Sequence, residues 1–576
     1  MKHLQGLKVL VLGLGDSGLA MAAWVRRCGG EVRVWDSREA PPQLAALREQ
    51  LPEVEFVHGE LPESVLSGVQ LVLKSPGLSP LDVRLLPLLT LAQGTGVPVQ
   101  GELDLFARAL ADLKAERRYE PAVLAITGTN GKTTTTSMCA QLVERCGRRV
   151  VMAGNIGPSM LTTLGAALDL EPAAEPVLPP EPTETVADDS SDAPDAPVAP
   201  VVAEQTVLES IDAMLDEAPL PIKPPPPKPA VFEHLPEVWV LELSSFQLDT
   251  VQGFEPTAAT VLNLTQDHLD WHGDMAAYGR AKARIFGTEI DSPTVMVINR
   301  DDALVEAMVP VPIKVQQGRG RPAKLVARKV VRFGLDAPRH PGDFGLVQEA
   351  GMSWLVRARE ADETIKKKKG EDEEELLIQR LMPADALRVR GRHNAANALA
   401  ALALASAAGC PLAPMLHGLR EYRGEPHRVE HVGAIKGVDF YDDSKGTNVG
   451  ATVAAITGLG ADRAPAQLVV ILGGDGKGQD FGPLREPVAR HARAVALIGR
   501  DGPQIAAALQ HSGVTMQAHE TLEAATAWCL AQARSGDSVL LSPACASLDM
   551  FRNYGHRAEV FVAAVQALAQ DEGLSL

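Results

Sequence analysis

A glycine-rich turn between a predicted strand and a predicted helix constrains the fold of this chain more than any other feature. The strand covers Ala122–Thr127, and we expect the helix after the turn to continue through Val143. The residues of the turn are Gly128, Thr129, Asn130, Gly131, Lys132, Thr133 and Thr134. Glycines allow backbone N–H groups to approach phosphate oxygens, and the start of the following helix favours negative charge. We therefore expect Lys132 to reach the β- and γ-phosphates of ATP, and Thr133 or Thr134 to hold Mg²⁺.

The rest of the chain alternates predicted strands and helices, which indicates an α/β fold with mostly parallel sheets. A chain of 576 residues is too long for one core. We predict three domains: a Rossmann-like domain over 1–103, a central phosphate-loop domain over 104–424 and a C-terminal Rossmann-like domain over 425–576. The other main predicted strands are Lys8–Leu14, Glu31–Trp35, Gln70–Leu73, Val238–Leu243, Ala259–Leu264, Thr294–Asn299, Gln467–Leu472, Ala494–Ile498 and Ser538–Leu541.

Two segments break this alternation. Residues 171–236 consist mainly of Pro, Ala, Glu, Asp and Val, a composition that buries too little apolar surface to offset the entropy lost on ordering. We predict that most of this segment is a disordered insertion, with a short amphipathic helix possible in it at Val207–Leu215. Residues 360–376 are rich in Lys and Glu, which predicts a solvated surface hairpin or loop; a partner-binding site is the alternative.

Charge and hydropathy exclude some classes of function. The net charge of −18 argues against a nucleic-acid-binding protein, which needs a basic face. No run reaches the roughly 18 apolar residues of a membrane span, and the first residues do not resemble a signal peptide. The six cysteines form no CxxC pair, so we expect them to be reduced. These features predict a cytoplasmic protein that does not insert into membranes.

A second glycine turn follows the first predicted strand. Gly13, Gly15 and Gly18 form a GxGxxG pattern, and Asp36 lies roughly twenty residues further on. Taken alone, this pattern indicates a dinucleotide site, so a nicotinamide-dependent dehydrogenase is one alternative from a different class of enzyme.

Several polar side chains stand where an ATP-dependent enzyme needs them. Glu242 follows a predicted strand beside the phosphate loop, a position suited to a Mg²⁺ ligand. His268 follows the next strand; a lone histidine is more often structural, but its place at the same sheet edge favours a functional role. Asn394 and Asn397 lie three apart on one helical face, where a helix cap is the alternative. Arg428 can neutralise a transferring phosphoryl group.

The form of the phosphate loop points to a family. Ile126 stands where the general pattern has Gly or Ala, and the variant Thr-Gly-Thr-Asn-Gly-Lys-Thr is typical of the Mur ligases and folylpolyglutamate synthases. The block Asp-Ser-Lys-Gly-Thr-Asn that begins at Asp443 resembles a Mur ligase motif. A Rossmann-like first domain is absent from folylpolyglutamate synthases, so the chain resembles the Mur ligases over nearly its whole length. Gly473–Phe481 and Leu541–Phe551 resemble the branch that adds D-glutamate.

The resemblance implies a reaction, its cofactors and its substrates. ATP would phosphorylate the L-alanyl carboxylate of UDP-N-acetylmuramoyl-L-alanine, and the amine of D-glutamate would displace phosphate from the acyl phosphate. Two Mg²⁺ ions would be held by Thr133, Glu242, His268 and Lys282, with Lys282 carbamylated by CO₂. Without the resemblance, Lys282 would be interpreted as a surface lysine. We also expect a monomer that closes around its substrates.

The resemblance also assigns residues to each substrate. The catalytic set is Lys132, Glu242, His268, Lys282 and Arg428. Beyond the phosphate loop, the ATP set is Asn394, Asn397, Arg428 and Asp443. The UDP-substrate set is Gly15, Asp16, Ser17, Asp36, Ser37, Arg38, Ser75, Pro76, Gly77 and Asn155. The D-glutamate set is Lys445, Thr447, Lys477, Ser547, Leu548 and Tyr554. The L-alanine-adding branch of the family is the alternative within this class.

Overall fold

The structure is a computed structural model that describes residues 2–61, 63–172, 231–316, 323–361, 376–389 and 391–574. Residues 173–230, with the helix predicted at Val207–Leu215, and residues 362–375 of the charged loop lie outside the described residues. Two compact units can be distinguished, one formed by Met1–Asp169 with Leu235–Leu576 and one formed by Leu170–His234. The three main sheets all belong to the first unit.

The first sheet contains five parallel strands in the order β3-β2-β1-β4-β5. Its elements are β1 Lys8–Leu12, α1 Asp16–Arg27, β2 Glu31–Asp36, α2 Leu44–Gln50, β3 Glu55–His58, β4 Leu71–Lys74, α3 Leu86–Thr95 and β5 Val99–Gln100. The continuous apolar run of β1 is buried on both faces because helices cover both sides of a parallel sheet. The predicted doubly wound topology is confirmed. Helix α4, Glu102–Arg117, leads from this sheet to the next.

The central sheet has nine strands in the order β16-β15-β14-β13-β10-β9-β6-β8-β7. In chain order, the first elements of this part of the chain are β6 Ala122–Thr127, α5 Lys132–Arg145, β7 Val150–Gly154, α6 Met160–Leu170, β8 Val238–Glu242, α7 Ser245–Leu248, β9 Ala258–Val261, α8 Leu269–His272, α9 Met275–Ala283, β10 Val295–Asn299 and α10 Ala303–Glu306. The remaining elements are β11 Ile313–Val315, β12 Lys324–Val326, β13 Val330–Phe333, β14 Phe344–Glu349, β15 Met352–Glu360, β16 Leu376–Pro383, α11 Arg392–Ala407 and α12 Leu412–Glu421. Strands β11 and β12 form a separate antiparallel pair.

Strands β14, β15 and β16 extend the central sheet beyond what the sequence predicted; β14 is parallel to β13, and β15 is antiparallel to both β14 and β16. Glu360 pairs with Leu376, so β15 and β16 are the two strands of a hairpin, and residues 362–375 between them lie outside the described residues. The alanine-rich helix α11 packs on the buried face of this sheet, where its small side chains form part of the main core.

The third sheet has six strands in the order β17-β18-β22-β19-β20-β21, and only the edge strand β17 is antiparallel. Its elements are β17 Glu430–Ile435, β18 Val438–Asp442, α13 Val449–Arg463, β19 Leu468–Gly473, α14 Arg485–His491, β20 Ala492–Ile498, α15 Gly502–Leu509, β21 Thr515–Ala518, α16 Leu522–Gln532, β22 Ser538–Leu541 and α17 Tyr554–Asp571. Short 3-10 helices occur at Lys2–Leu4, Glu63–Leu66, Arg284–Phe286, Ala384–Ala386 and Gly482–Leu484.

The predicted strands agree with the observed ones within a few residues, and the differences have local causes. Strand β1 ends at Leu12 because Gly13 turns the chain with a φ of +87°. Strand β9 ends at Val261, three residues earlier than predicted, because Asn263 is bonded to the phosphate loop.

Two sequence-level expectations concern membranes and cysteines. Across the ranges described above, no helix is both long and apolar enough to cross a bilayer. All six cysteines are free.

Candidate active site

The phosphate loop is held in shape by its glycines and by the segment after β9. Gly128 and Gly131 have φ angles of +153° and +83°, which favour glycine. A Cβ on Gly128 would stand 3.0 Å from Cβ of Leu262, so this position also needs glycine for space. The Asn130 N–H donates to Oδ1 of Asn263 at 2.8 Å, and Nδ2 of Asn263 donates to the Asn130 carbonyl at 3.0 Å. Asn263 thereby fixes the loop, a role that the sequence analysis missed.

The ammonium group of Lys132 folds back over the loop. Its Nζ donates to the carbonyls of Gly128 at 3.0 Å and Thr129 at 2.8 Å. Burial lowers the pKa of Lys132, although the nearby Glu242 opposes this change. The amine therefore lies against the phosphate loop and lines the cleft beside it.

Four side chains from different parts of the chain meet beside this loop. The Thr133 hydroxyl donates to Oε2 of Glu242 at 2.9 Å and accepts a hydrogen bond from Nη2 of Arg428 at 2.7 Å. Asn155 donates to Oε1 of Glu242 at 2.9 Å. Thr133, rather than Thr134, is thus the hydroxyl that faces Glu242. Its neighbours Glu242 and Arg428 supply one anion and one cation at the mouth of the loop.

The oxygen atoms of Thr133 and Glu242 fit a hard cation such as Mg²⁺, which prefers carboxylate and hydroxyl ligands. His268 lines the same cleft, with a left-handed φ of +52° and its ring 4.7 Å from the ring of Phe246. Its imidazole is a softer ligand than an oxygen, so its fit to Mg²⁺ is weaker.

Lys282 lies beneath the phosphate loop. Its Nζ donates to the Gly128 carbonyl at 2.9 Å and to the Thr127 hydroxyl at 3.2 Å, and it stands 4.8 Å from the centre of the Tyr278 ring. Burial, assisted by the positive charge of Lys132, places the pKa of Lys282 well below its usual range. Lys282 is therefore a buried amine, and not the surface lysine that the local sequence alone would indicate. It does not line the cleft that Glu242 and His268 share.

That cleft lies between the central and third sheets and encloses about 440 Å³. The residues of its lining that the sequence analysis predicted for the site are Thr129, Asn130, Gly131, Lys132, Thr133, Asn155, Glu242, His268, Arg428, Lys445, Thr447 and Lys477. Three residues predicted for D-glutamate are therefore in the cleft with the phosphate loop. Ser547, Leu548 and Tyr554 are not part of its lining. Tyr554 is nevertheless close, because Nζ of Lys445 stands 3.9 Å from the centre of its ring.

A smaller pocket adjoins the cleft on the side of helix α11. It is lined by residues that include Asn394, Asn397 and Asp443. Asn397 donates to Oδ1 of Asn394 at 3.2 Å, which confirms that the two share a face; the helix is capped by Gly391 instead. Burial raises the pKa of Asp443 to about 7, although Ser542 donates to its carboxylate at 2.6 Å.

The first glycine turn packs tightly against the start of helix α1 and against Ser75. A Cβ on Gly18 would stand 1.9 Å from the Gly13 carbonyl oxygen, and the Ser75 hydroxyl donates to that same oxygen at 2.8 Å. Oδ2 of Asp36 accepts the N–H of Leu14 at 2.8 Å, and Arg38 pairs with the same carboxylate. Burial alone would raise the pKa of Asp36, but these hydrogen bonds prevail and lower it to about 2.

The remaining residues of the UDP-substrate set stand around this turn. Gly15 caps helix α1 and Asp16 begins it. Oδ1 of Asp16 accepts a hydrogen bond from Gln43 at 2.6 Å. The structure therefore brings Gly15, Asp16, Ser17, Asp36, Ser37, Arg38 and Ser75 together at the carboxyl ends of β1, β2 and β4. Pro76 and Gly77 follow Ser75 directly, whereas Asn155 stands with Glu242 in the central sheet.

The fold and this cleft define an ATP-dependent ligase that joins an acid to an amino acid. Three domain families of the Mur ligases match the chain. They are "Mur ligase MurD-like, N-terminal domain" over residues 7–101, "Mur ligase middle domain" over 126–176 and 229–333, and "Mur ligase, glutamate ligase domain" over 427–545. The chain belongs to the Mur ligase family.

Relatives match the chain over its whole length. It is 53% identical to a protein of Albidiferax ferrireducens named UDP-N-acetylmuramoylalanine–D-glutamate ligase, over 100% of this chain and 98% of that protein. It is 47% identical to a protein of Polaromonas sp. with the same name, over 100% of both chains. The names agree with the predicted D-glutamate branch. They give no support to the nicotinamide-dependent alternative.

A solved structure shows the same fold. The MurF ligase from Thermotoga maritima in complex with ADP superimposes on this chain with a TM-score of 0.51. The match covers 99% of this chain and 97% of the MurF chain. The sequence identity is 15%, so this likeness concerns the fold alone.

Proposed function

We propose that this chain adds D-glutamate to UDP-N-acetylmuramoyl-L-alanine, with conversion of ATP to ADP and phosphate, during cytoplasmic synthesis of peptidoglycan precursors. One observation carries the proposal: a single cleft joins the phosphate loop and Glu242 to three cations near the third sheet, Arg428, Lys445 and Lys477. The names of the full-length relatives support both the acceptor and the amino acid.

The first step forms an acyl phosphate. The L-alanyl carboxylate attacks the γ-phosphorus of ATP; the new O–P bond forms while the bond to the bridging oxygen breaks and ADP leaves. Lys132 and Arg428, which both line the cleft, offset the charge on the transferring group. Asn394, Asn397 and Asp443 hold the nucleoside part of ATP in the adjoining pocket.

The second step forms the amide. The amine of D-glutamate attacks the acyl carbon, a C–N bond forms, phosphate leaves with the electrons of the C–O bond, and the amine loses a proton. Lys445, Thr447 and Lys477 hold the two carboxylates of D-glutamate, because cations and hydroxyls pair well with them. Ser547, Leu548 and Tyr554 complete this site. Tyr554 contributes by holding Lys445 over its ring.

Thr133, Glu242 and His268 would hold Mg²⁺, which supplies positive charge to the phosphate oxygens when it is bound. The second ion would require Lys282 as a carbamate. The lowered pKa of Lys282 favours the neutral amine, which can attack CO₂ to form an N–C bond and release a proton. The carbamate would convert a buried neutral amine into an anion beside the phosphate loop.

The UDP-sugar lies at the first glycine turn. Its pyrophosphate is held by the start of helix α1 at Gly15, Asp16 and Ser17, with Ser75, Pro76 and Gly77 on the adjacent strand end. Asp36, Ser37 and Arg38 lie by the uracil. Asn155 orients the alanyl end toward Glu242. We expect the enzyme to act as a monomer.

Phosphate release measured for each pairing of acceptor and amino acid tests this proposal. UDP-N-acetylmuramate and UDP-N-acetylmuramoyl-L-alanine should each be offered with L-alanine, L-glutamate and D-glutamate, and products identified by mass spectrometry. We expect turnover only with UDP-N-acetylmuramoyl-L-alanine and D-glutamate together. Turnover with UDP-N-acetylmuramate and L-alanine, without the expected pair, would assign the chain to the L-alanine-adding branch.

A further inference from the structure

A buried lysine that the proposed reaction does not use stands where the first sheet meets the central part of the chain. Lys74 is the last residue of strand β4, and only 5% of its surface is exposed. Within the part of the chain that the structure describes, no carboxylate lies at salt-bridge distance from its ammonium group. Burial lowers the pKa of Lys74 to about 8, although the charge of Asp249 opposes this change. The ammonium group therefore needs other partners.

The first partner lies across the turn that follows β4. Nζ of Lys74 donates to the Leu78 carbonyl at 2.7 Å, and the Leu78 N–H donates to the Ser75 carbonyl at 3.1 Å. The Ser75 hydroxyl in turn donates to the Gly13 carbonyl at 2.8 Å. Lys74 thus closes the segment of residues 75–78 and holds it beside the first glycine turn. This segment includes the three residues that we assign to the UDP-sugar on this strand end.

The second partner belongs to the central part of the chain. Nζ of Lys74 stands 5.4 Å from the centre of the Trp271 ring and over its face. Trp271 lies in helix α8 and is 7% exposed. A cation at this distance from an indole face is attracted by the ring, and the attraction is stronger when water is excluded. One ammonium group therefore joins the segment of residues 75–78 to helix α8.

Trp271 is connected to the cleft through the side chains around it. Its ring centre lies 4.8 Å from that of Phe246, which lies 4.7 Å from the ring centre of His268. The N–H of Trp271 also donates to the His268 carbonyl at 3.1 Å. His268 lines the cleft that holds the phosphate loop. Direct contacts thus lead from the segment of residues 75–78, through Lys74 and Trp271, to the cleft.

We propose that Lys74 and Trp271 form a positioning pair that holds the segment of residues 75–78 against helix α8 and so aligns the bound UDP-sugar with the cleft. This inference rests on the proposed function, because it takes the UDP-sugar as the ligand of the first glycine turn. Lys74 acts through the Leu78 carbonyl and the Trp271 ring. If its role were structural only, an apolar side chain of similar length could replace it without an effect on substrate binding.

Lys74→Met tests the proposal, because methionine keeps an unbranched apolar side chain and removes the charge and the N–H donors. We expect KM for UDP-N-acetylmuramoyl-L-alanine to rise about tenfold, with KM for ATP and D-glutamate within about twofold of wild type and kcat reduced by less than about threefold. Lys74→Arg should restore this KM to within about threefold of wild type, since a guanidinium also stacks on an indole. Lys114→Met is the matched control, because Lys114 is exposed and pairs with Glu120 at 3.5 Å.

A double-mutant cycle with Trp271→Leu tests whether the two residues act as a pair. Trp271→Leu should raise the same KM about tenfold, and the double variant should exceed either single variant by no more than about threefold, because each change removes the same contact. Independent effects that multiply to about 100-fold would overturn the pairing. So would a KM in Lys74→Met equal to that of Lys114→Met, and this result would leave the proposed function intact.

Amide hydrogen exchange in the wild type gives a readout that needs neither turnover nor a folded variant. The probe is uridine diphosphate, which has the uracil and the pyrophosphate but no alanyl end. At saturation it should slow exchange severalfold at Leu78 and also at Trp271 and His272, whose N–H groups both donate to the His268 carbonyl. Slower exchange at Leu78 without any change in helix α8 would overturn the inference. A wild type that does not turn over UDP-N-acetylmuramoyl-L-alanine would refute the proposed function and, with it, the inference.

Discussion

Arg428 donates a hydrogen bond of 2.7 Å to the hydroxyl of Thr133 in the phosphate loop, although 295 residues separate the two in sequence. The same hydroxyl donates to Glu242 at 2.9 Å. A cation from the beginning of the third sheet and an anion from the central sheet therefore meet at one atom. In the proposed reaction, this is the position where charge on the transferring phosphoryl group would be offset.

Replacing Arg428 with methionine should lower kcat on the order of 100-fold, because a preorganised cation is lost where charge develops in the transition state. Steady-state phosphate release measures the effect. Arg423→Met, which alters an exposed arginine in the preceding segment, should stay close to wild type. Equal activities of the two variants would show that Arg428 only links the domains.

Lys282→Ala should lower activity by about two orders of magnitude or more, as loss of a metal-positioning group does, and high bicarbonate should not restore it. With ¹³C-bicarbonate, the wild type should show a carbamate carbon signal that Lys282→Ala lacks and that Lys314→Ala, an exposed control, retains. Wild-type rates in Lys282→Ala, or the same signal in that variant, would refute the carbamate assignment.

Lys477→Met should raise KM for D-glutamate by about tenfold to 100-fold, because one carboxylate loses a charged partner in the cleft. KM for ATP should hardly change. Lys436→Met provides a matched control, since Lys436 also has a positive φ but pairs with Glu572 instead of lining the cleft. A proportional rise of KM for both ATP and D-glutamate would contradict a specific role in amino-acid binding.

The raised pKa of Asp443 predicts a pH effect on stability. The pKa of Asp443 is about 7 in the folded chain, whereas an aspartate in the unfolded chain has the ordinary value of 3.8. At a pH between these two values, the folded state keeps a proton on Asp443 that the unfolded state has released. The contribution of this group to the free energy of unfolding should fall as pH rises from about 4 through about 7. Thermal unfolding between pH 5 and pH 8 should show a loss of stability in the wild type relative to Asp443→Asn. Parallel pH profiles would contradict the raised pKa of this carboxyl.

Removing the proline-rich insertion should leave the chemistry nearly intact. The middle-domain match stops at residue 176 and resumes at residue 229. The carboxylate of Glu171 accepts the N–H groups of Glu233 at 2.7 Å and His234 at 2.8 Å, so the two ends of the insertion already lie together. We expect that replacing residues 173–230 with a short Gly-Ser linker keeps kcat and all three KM values within about threefold of wild type. Loss of soluble, folded protein would show that the insertion packs against the core.

Local patterns in the sequence were enough for many of the buried parallel strands and for the phosphate loop. Strand Ala122–Thr127 was predicted at its observed bounds, since a buried parallel strand is a continuous apolar run. Gly128 and Gly131 were expected to turn the chain, and both have the positive φ that favours glycine. The extension β14–β16 was missed, because its strands are only partly buried and lack a clear apolar run.

The site depends on contacts that no local pattern contains. The sequence offered Thr133 and Thr134 equally, and the choice follows from the position of Glu242 across the sheet. Lys282 resembles a surface lysine until the fold places it under the Gly128 carbonyl. Residue type and spacing determined which chemistry this chain can perform. The packing of distant segments decided which side chains meet, because burial and hydrogen bonding across domains depend on three-dimensional proximity and not on position along the chain.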